Sequence, residues 1–164
     1  MSTPQVGRPS VYIETSVVSY LVARLSRDLV VAGHQQTTSE WWENHRHRFN
    51  LFVSALVLQE AGSGDAVLAQ RRLDALRGIA VLELRAEAAA LAREMVEHGP
   101  VPAKAAVDAA HIAIAAVQGV AFLLTWNCKH IANAEMQPEL ERICRTRGYL
   151  LPVLCTPEQL MGGL

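Results

Sequence analysis

The feature that most constrains the fold of this chain is the alternation of short apolar runs with longer stretches rich in alanine and leucine. The short runs have the length and composition of β-strands, and the longer stretches are typical of helices. Strands that alternate with helices are joined by right-handed crossovers into a parallel sheet covered on both faces. The pattern therefore predicts an α/β three-layer sandwich with a central, mainly parallel sheet, whose strands we expect at residues 11–13, 51–53, 80–84, 122–125 and 152–154.

Residues that begin or end helices support this division of the chain. Asp65 is an expected helix cap, Gly99-Pro100 ends one helical stretch, and Pro102 begins the next. The helices are expected at residues 16–24, 28–48, around Glu60, at 65–76, 86–97, 102–117 and 138–147, with a short one from residue 156.

Two segments of the long stretch 28–48 carry more specific expectations. For the adjacent Trp41 and Trp42, a packed helix face with one indole partly exposed is the simplest interpretation. The apolar residues 29–31 fit either the core or a seam between two copies of the chain.

Length and composition indicate one globular domain over residues 1–164, with residues 1–9 expected to be flexible. Hydrophobic residues make up 51% of the chain and charged residues 19%, which excludes a disordered protein. The 15 basic and 16 acidic residues give a net charge of −1. The chain therefore lacks the basic excess that is typical of a nucleic-acid-binding domain. A nuclease with this composition needs a local basic patch or a metal that bridges to phosphate.

The cysteines and the termini predict a cytoplasmic protein that does not insert in a membrane. Cys128, Cys144 and Cys155 are widely spaced and form neither a zinc pattern nor a disulfide framework, so we expect free thiols. The first ten residues lack the apolar stretch of a signal peptide. The longest apolar run, 113–124, is interrupted by Gln118 and Gly119 and is too short to span a bilayer.

Candidate functional residues come from the predicted carboxyl ends of the strands, where open parallel sheets bind their ligands. Glu14 directly follows the first strand, and Asn127 closely follows the fourth. Glu60 lies in the helix after the second strand, and Asp108 lies in a helix so apolar that most of it should be buried. A carboxylate in such a place is costly unless it is paired or binds a metal. We therefore expect Glu14, Glu60 and Asp108 to converge in one site.

Converging carboxylates suit the hydrolysis of a phosphodiester with a divalent cation. Mg²⁺ and Mn²⁺ prefer hard oxygen ligands and lower the pKa of a bound water. Other interpretations stay open: Glu14 as an acid at a helix N-terminus, Glu60 as a solvated helix residue, and Asn127 as either a turn cap or a weak metal ligand. His111 lies one turn after Asp108 on the same helix face, which fits a residue that supports the site.

Four segments of the chain resemble the motifs of the PIN-domain family. They are YIETSV at residues 12–17, VSALVLQE at 53–60, DAAHIA at 108–113 and LLTWN at 123–127. The continuation KHIAN at 129–133 is similar to a branch of VapC-like proteins. The four motifs occur in order on an alternating α/β pattern, which makes the resemblance more specific than any one motif.

This resemblance implies a PIN fold and a VapC-like toxin ribonuclease of a type II toxin–antitoxin system. It implies an endoribonuclease that cleaves RNA with Mg²⁺ or Mn²⁺, a homodimer and a cognate antitoxin. Glu14, Glu60 and Asp108 match the catalytic and metal-binding acids, and Asn127 occupies the position of a fourth acid. The supporting positions are Thr15, Ser16, Thr125 and His111.

Two departures from the family pattern leave an alternative function open. Glu14 and Asn127 stand where many PIN domains have aspartate, so the metal site has a longer first ligand and one charge fewer. A PIN-like domain that binds RNA or a protein partner without catalysis is the first alternative. An unrelated α/β phosphatase is the second, although the chain lacks a glycine-rich loop that would hold phosphate.

Overall fold

A computed structural model of the chain describes residues 5–162, which form a five-stranded, entirely parallel sheet covered by helices. The strand order is β3-β2-β1-β4-β5. This confirms the predicted α/β sandwich, and each strand lies within two residues of the run that indicated it. The strands are β1 (Ser10–Ile13), β2 (Asn50–Ser54), β3 (Ala80–Leu82), β4 (Phe122–Leu124) and β5 (Val153–Cys155).

The helices divide into two groups, as right-handed crossovers require. The α-helices are α1 (Thr15–Val22), α2 (Leu29–Glu40), α3 (Ala55–Ala61), α4 (Ala66–Ala75), α5 (Ala86–Glu97), α6 (Ala106–Val117) and α7 (Gln137–Thr146). Helix α1 contacts α2, α3 and α4, whereas α5 contacts α6 and α7, and α6 also contacts β4. None of the helices between residues 5 and 162 has the length and hydropathy that a membrane span requires.

The core lies on both faces of β1 and β4 and extends to α6. The residues of β1 from Val11 to Ile13 are fully buried, and so are Leu123 and Leu124 of β4. Helix α6 is buried from His111 to Ala116, because its alanines allow close packing against α5. The predicted Asp65 cap is present, with its side chain accepting the backbone N–H of Leu68. The ends of the central strands are thus held rigidly in the middle of the domain.

The predicted helix over residues 28–48 is wrong in its second half. Helix α2 ends at Glu40, a π-helical turn follows over Trp41–His45, and a 3-10 turn completes the segment over Arg46–Arg48. Both indoles are buried, whereas one was expected to be partly exposed. We attribute the π turn to this burial, because a widened turn allows two consecutive bulky residues to pack into the core.

Other details of the chain also differ from the expectations. The short helix expected from residue 156 is a single 3-10 turn, Glu158–Leu160. Leu29 is 87% exposed and Val30 is 66% exposed, so these residues are not part of the core. All three cysteines are free as predicted, although Cys128 is exposed. Of the terminus expected to be flexible, residues 1–4 lie outside the described residues.

Candidate metal site at the carboxyl ends of the strands

The candidate site lies where the strand order reverses, between β1 and β4. The chain runs outward from β1 to β3 on one side and from β4 to β5 on the other. Glu14 leaves the end of β1 and its backbone N–H donates to the carbonyl of Leu124 at 3.0 Å. Thr125 leaves the end of β4 and donates to the carbonyl of Cys155 at 2.9 Å. A reversal of this kind leaves a crevice at the carboxyl ends of the strands, where α/β proteins bind ligands.

Glu14 is held in place by three donors on one oxygen. Its Oε2 accepts the backbone N–H and the hydroxyl of Ser16, and it accepts the hydroxyl of Thr125 at 2.7 Å. Glu14 also caps α1, where a negative charge is favourable. The residue is only 6% exposed, yet its Oε1 accepts no hydrogen bond from residues 5–162. No buried side-chain atom of the described residues lacks a partner, so this oxygen faces solvent.

Glu60 is held in the same way from two other elements. Its Oε1 accepts the hydroxyl of Thr15 at 2.6 Å and faces Nε2 of His111 at 2.7 Å. Desolvation raises the pKa of Glu60, but the hydrogen bonds from His111 and Thr15 together outweigh it and the pKa lies below its usual value. Its Oε2 accepts nothing from the part of the chain that the structure describes. Glu60 is therefore a fixed carboxylate with one oxygen free.

These two carboxylates form a compact group with His111. One potential ligand atom from each of the three residues lies within 4.8 Å of the others. Carboxylate oxygens are hard donors that suit Mg²⁺ or Mn²⁺, which bind through a few carboxylates and fill their remaining positions with water or phosphate. The residues of this group therefore fit a divalent cation.

Asp108 lies in the first turn of α6 and outside that compact group. Its Oδ2 is 3.1 Å from Nδ1 of His130, and its Oδ1 has no partner among residues 5–162. Helix α6 is mostly buried, as expected, but Asp108 itself is only partly buried: its side chain is 22% exposed, and the adjacent Val107 is 48% exposed. Burial of α6 begins one residue later, at Ala109, because the first turn of the helix stands at the surface. Since Asp108 precedes His111 by one turn, the two share a helix face.

Asn127 connects the two parts of the site through a turn. Its side-chain oxygen accepts the backbone N–H of His130 at 3.0 Å, and its own N–H donates to the hydroxyl of Thr125 at 2.9 Å. The same Thr125 hydroxyl contacts Glu14, and the same His130 contacts Asp108. The turn therefore links the acid after β1 to the acid on α6, and the Asn127 oxygen acts as a turn cap.

The four supporting residues expected from the sequence all contact the acids or each other. Three further residues lie in the motif segments but were not predicted to contact the site residues: Tyr12, Ser54 and His130. A signal for Tyr12 was available, because a tyrosine inside an otherwise apolar central strand needs a partner for its hydroxyl. His130 lies in the KHIAN segment, but the sequence does not show its partner, because Asp108 lies on another element.

Comparisons with known proteins identify the fold. The sequence matches no protein-family model and no curated protein. It is similar in structure to a chain of VapBC2 from Rickettsia felis bound to a DNA fragment from their promoter, with 14% identity and a TM-score of 0.53 over 79% of this chain and 92% of that chain. It is also similar to VapC20 of Mycobacterium tuberculosis, a toxin that cleaves the sarcin–ricin loop, with 16% identity and a TM-score of 0.50 over 69% of this chain and 86% of that one. The chain thus has a VapC-like PIN-domain fold, as its motifs predicted.

Proposed function

We propose that this protein is a metal-dependent endoribonuclease, a VapC-like toxin, with Glu14, Glu60 and Asp108 as its metal-binding carboxylates. One observation carries the proposal. Each of these acids has one oxygen on a donor of the protein and a second oxygen without a partner among residues 5–162. Glu14 and Glu60 belong to one compact group at the reversal of strand order, and Asp108 lies one turn before His111 of that group. This arrangement orients hard oxygen ligands while leaving them available to a cation.

The chain's own residues position the site for a phosphodiester. Ser16 and Thr125 hold Glu14, and Thr15 holds Glu60, so the free oxygens are fixed before any ligand arrives. Bound at these oxygens, Mg²⁺ or Mn²⁺ would polarise a phosphate and acidify a water molecule. Without a cation the acids repel a polyanion, so RNA should bind and react only in the presence of the metal.

The proposal includes an antitoxin partner, a homodimer and a location in the cytoplasm. The structural similarity to a chain of a VapBC complex supports an antitoxin. Three exposed apolar side chains at the start of α2 and just before it supply surface for a partner or a second copy; they are Leu25, Leu29 and Val30. The three free cysteines fit a reducing compartment.

An RNA-cleavage assay with Mn²⁺, with and without EDTA, tests this proposal. We expect cleavage that EDTA abolishes and that Asp108→Asn lowers by about 100-fold or more, since even residues that only support metal ligands are worth 10–100-fold. Glu87→Gln is the matched control, because Glu87 is an exposed acid on α5 and does not contact the site. Cleavage that survives both EDTA and Asp108→Asn would overturn the proposal. RNA binding without cleavage in Mn²⁺ would instead favour the non-catalytic PIN-like module.

A further inference from the structure

We propose that His111 is a positioning residue rather than a metal ligand, and that it forms with Tyr12 and Ser54 a one-way hydrogen-bond relay that orients Glu60. The inference rests on the proposed function in one respect, because it takes Glu60 to be a metal ligand. The relay itself is a property of the metal-free protein. It also decides between two sets of ligands, because His111 stands close enough to Glu14 and Glu60 to be taken for the third ligand.

The relay runs through the core and joins the two ends of α3. Ser54 caps this helix, accepting the backbone N–H of Val57 at 3.2 Å. The Ser54 hydroxyl lies 2.7 Å from the Tyr12 hydroxyl, and that hydroxyl lies 2.7 Å from Nδ1 of His111. Nε2 of the same ring lies 2.7 Å from Glu60 in the last turn of α3. Ser54, Tyr12 and His111 are fully buried.

Only one assignment of protons satisfies every group in this chain. Ser54 accepts the backbone N–H of Val57 and donates its hydroxyl to the oxygen of Tyr12, and the Tyr12 hydroxyl then donates to Nδ1 of His111. Nδ1 is then the acceptor, and Nε2–H donates to the Glu60 carboxylate. His111 is neutral in this arrangement, with its proton on Nε2.

Each alternative assignment of the protons leaves an unfavourable contact or a buried hydroxyl without an acceptor. A proton on Nδ1 alone would set the Nε2 lone pair against the Glu60 carboxylate at 2.7 Å. A doubly protonated ring would send the Tyr12 proton to Ser54, and the Ser54 proton would then have no acceptor among the described residues in a fully buried place. Tyr12 stays protonated, because burial raises the pKa of its phenol.

Because the hydrogen bonds run from Ser54 through Tyr12 and His111 to Glu60, His111 is not a metal ligand. A nitrogen that carries a proton has no lone pair for a metal, so binding at Nε2 would require the tautomer to reverse. Reversal would remove the hydrogen bond to Glu60, and it would turn the Tyr12 hydroxyl toward Ser54 and leave the Ser54 hydroxyl without an acceptor among the described residues. Asp108 is then the remaining candidate for a third ligand: it lies one turn earlier on the same helix face and has a free oxygen, although it stands outside the group within 4.8 Å. His111 and Thr15 together hold one oxygen of Glu60, which leaves the other directed outward.

Nitrogen-15 NMR of the imidazole rings in the metal-free protein tests the relay directly. The chain has 6 histidines, and the signal of His111 is identified by its loss in His111→Gln. We expect the neutral Nε2–H tautomer, with the Nε2 resonance keeping its proton when Mg²⁺ is added to saturation. An Nδ1–H tautomer, or an Nε2 that loses its proton and shifts to a metal-bound value with Mg²⁺, would overturn the inference. Neither result depends on nuclease activity, so a protein that fails to cleave RNA still tests the relay.

Variants provide a second readout. Tyr12→Phe removes one hydroxyl and keeps the ring that fills the core, so we expect a mixture of His111 tautomers in a folded protein. Tyr20→Phe is the control, since Tyr20 is half-buried on α1 and has no side-chain hydrogen bond to the site. In calorimetric titrations with Mg²⁺, His111→Ala should weaken binding about tenfold. His111→Gln, whose amide can still donate to Glu60, should weaken it less than Asp108→Asn does. The reverse order, or an unchanged tautomer in Tyr12→Phe, would contradict the relay.

Discussion

Two acids of the site, Glu14 in the interior and Asp108 at the rim, depend on the fold to different degrees. Glu14 accepts three hydrogen bonds on one oxygen and is 6% exposed. Asp108 has one contact, to His130, and its side chain is 22% exposed. Burial of a charge is tolerated only when donors replace the lost water, and Glu14 has those donors. The comparison indicates that Glu14 supports the fold through its hydrogen bonds, whereas Asp108 contributes little to it.

The largest expected effect is a difference in stability between the interior and the rim. Glu14→Ala removes the cap of α1 and leaves the hydroxyls of Ser16 and Thr125 without their acceptor, so we expect a loss of about 3 kcal/mol in the free energy of unfolding. Asp108→Ala should cost less than about 1 kcal/mol. Urea denaturation in metal-free buffer measures both. Equal losses in the two variants would contradict the distinction between interior and rim.

Ser54 should behave as an interior residue although it is not an acid. Ser54→Ala removes the cap of α3 and one member of the buried relay, so a loss of about 1–2 kcal/mol in unfolding free energy is expected. Ser63 offers a matched control, because its exposed hydroxyl donates only to the backbone of Gln59. Ser63→Ala should change stability by less than about 0.5 kcal/mol. Thermal and urea unfolding of the two variants side by side will measure this difference.

At the rim of the site, a change of charge should alter metal binding. Asn127→Asp keeps an oxygen that can cap the N–H of His130 and adds a negative charge beside Asp108 and its partner. We expect Mn²⁺ to bind roughly tenfold more tightly, about 1.4 kcal/mol, since a fourth carboxylate adds attraction. Calorimetric titration of both proteins measures it. If the aspartate variant binds no better, Asn127 serves only as a turn cap and the site has three acids.

The smallest effect is a pH dependence that arises from Glu60. Its pKa is lowered in the folded protein by the hydrogen bonds from His111 and Thr15, which exceed the opposing effect of desolvation. The ionised carboxylate therefore stabilises the fold above the ordinary glutamate pKa, and this contribution disappears as the pH falls through the lowered folded value. The stability difference between the metal-free wild type and Glu60→Gln should be constant near neutrality and shrink below about pH 4.5. If the stability difference between the two proteins grew as the pH fell, it could not arise from a lowered pKa of Glu60.

The amino-acid sequence by itself determined the parallel α/β sandwich and the edge at which the site forms. Strands and helices reveal themselves through local periodicity, and polar residues directly after two apolar strands identify the carboxyl edge of a parallel sheet. Glu14 and Thr125 were predicted there because their placement depends only on where a strand ends. Asp65 was predicted as a cap for the same reason, since a cap acts on its own helix.

Contacts between distant elements were decided only by the tertiary structure. Tyr12 and His111 are 99 residues apart, and their contact depends on strand order and on how α6 crosses β1. The approach of His130 to Asp108, the exposure of the first turn of α6 and the burial of both tryptophans have the same origin. A local pattern records which residues prefer burial or a given secondary structure. The pattern does not determine which helix face packs against a given residue, because that contact depends on the packing of the whole chain.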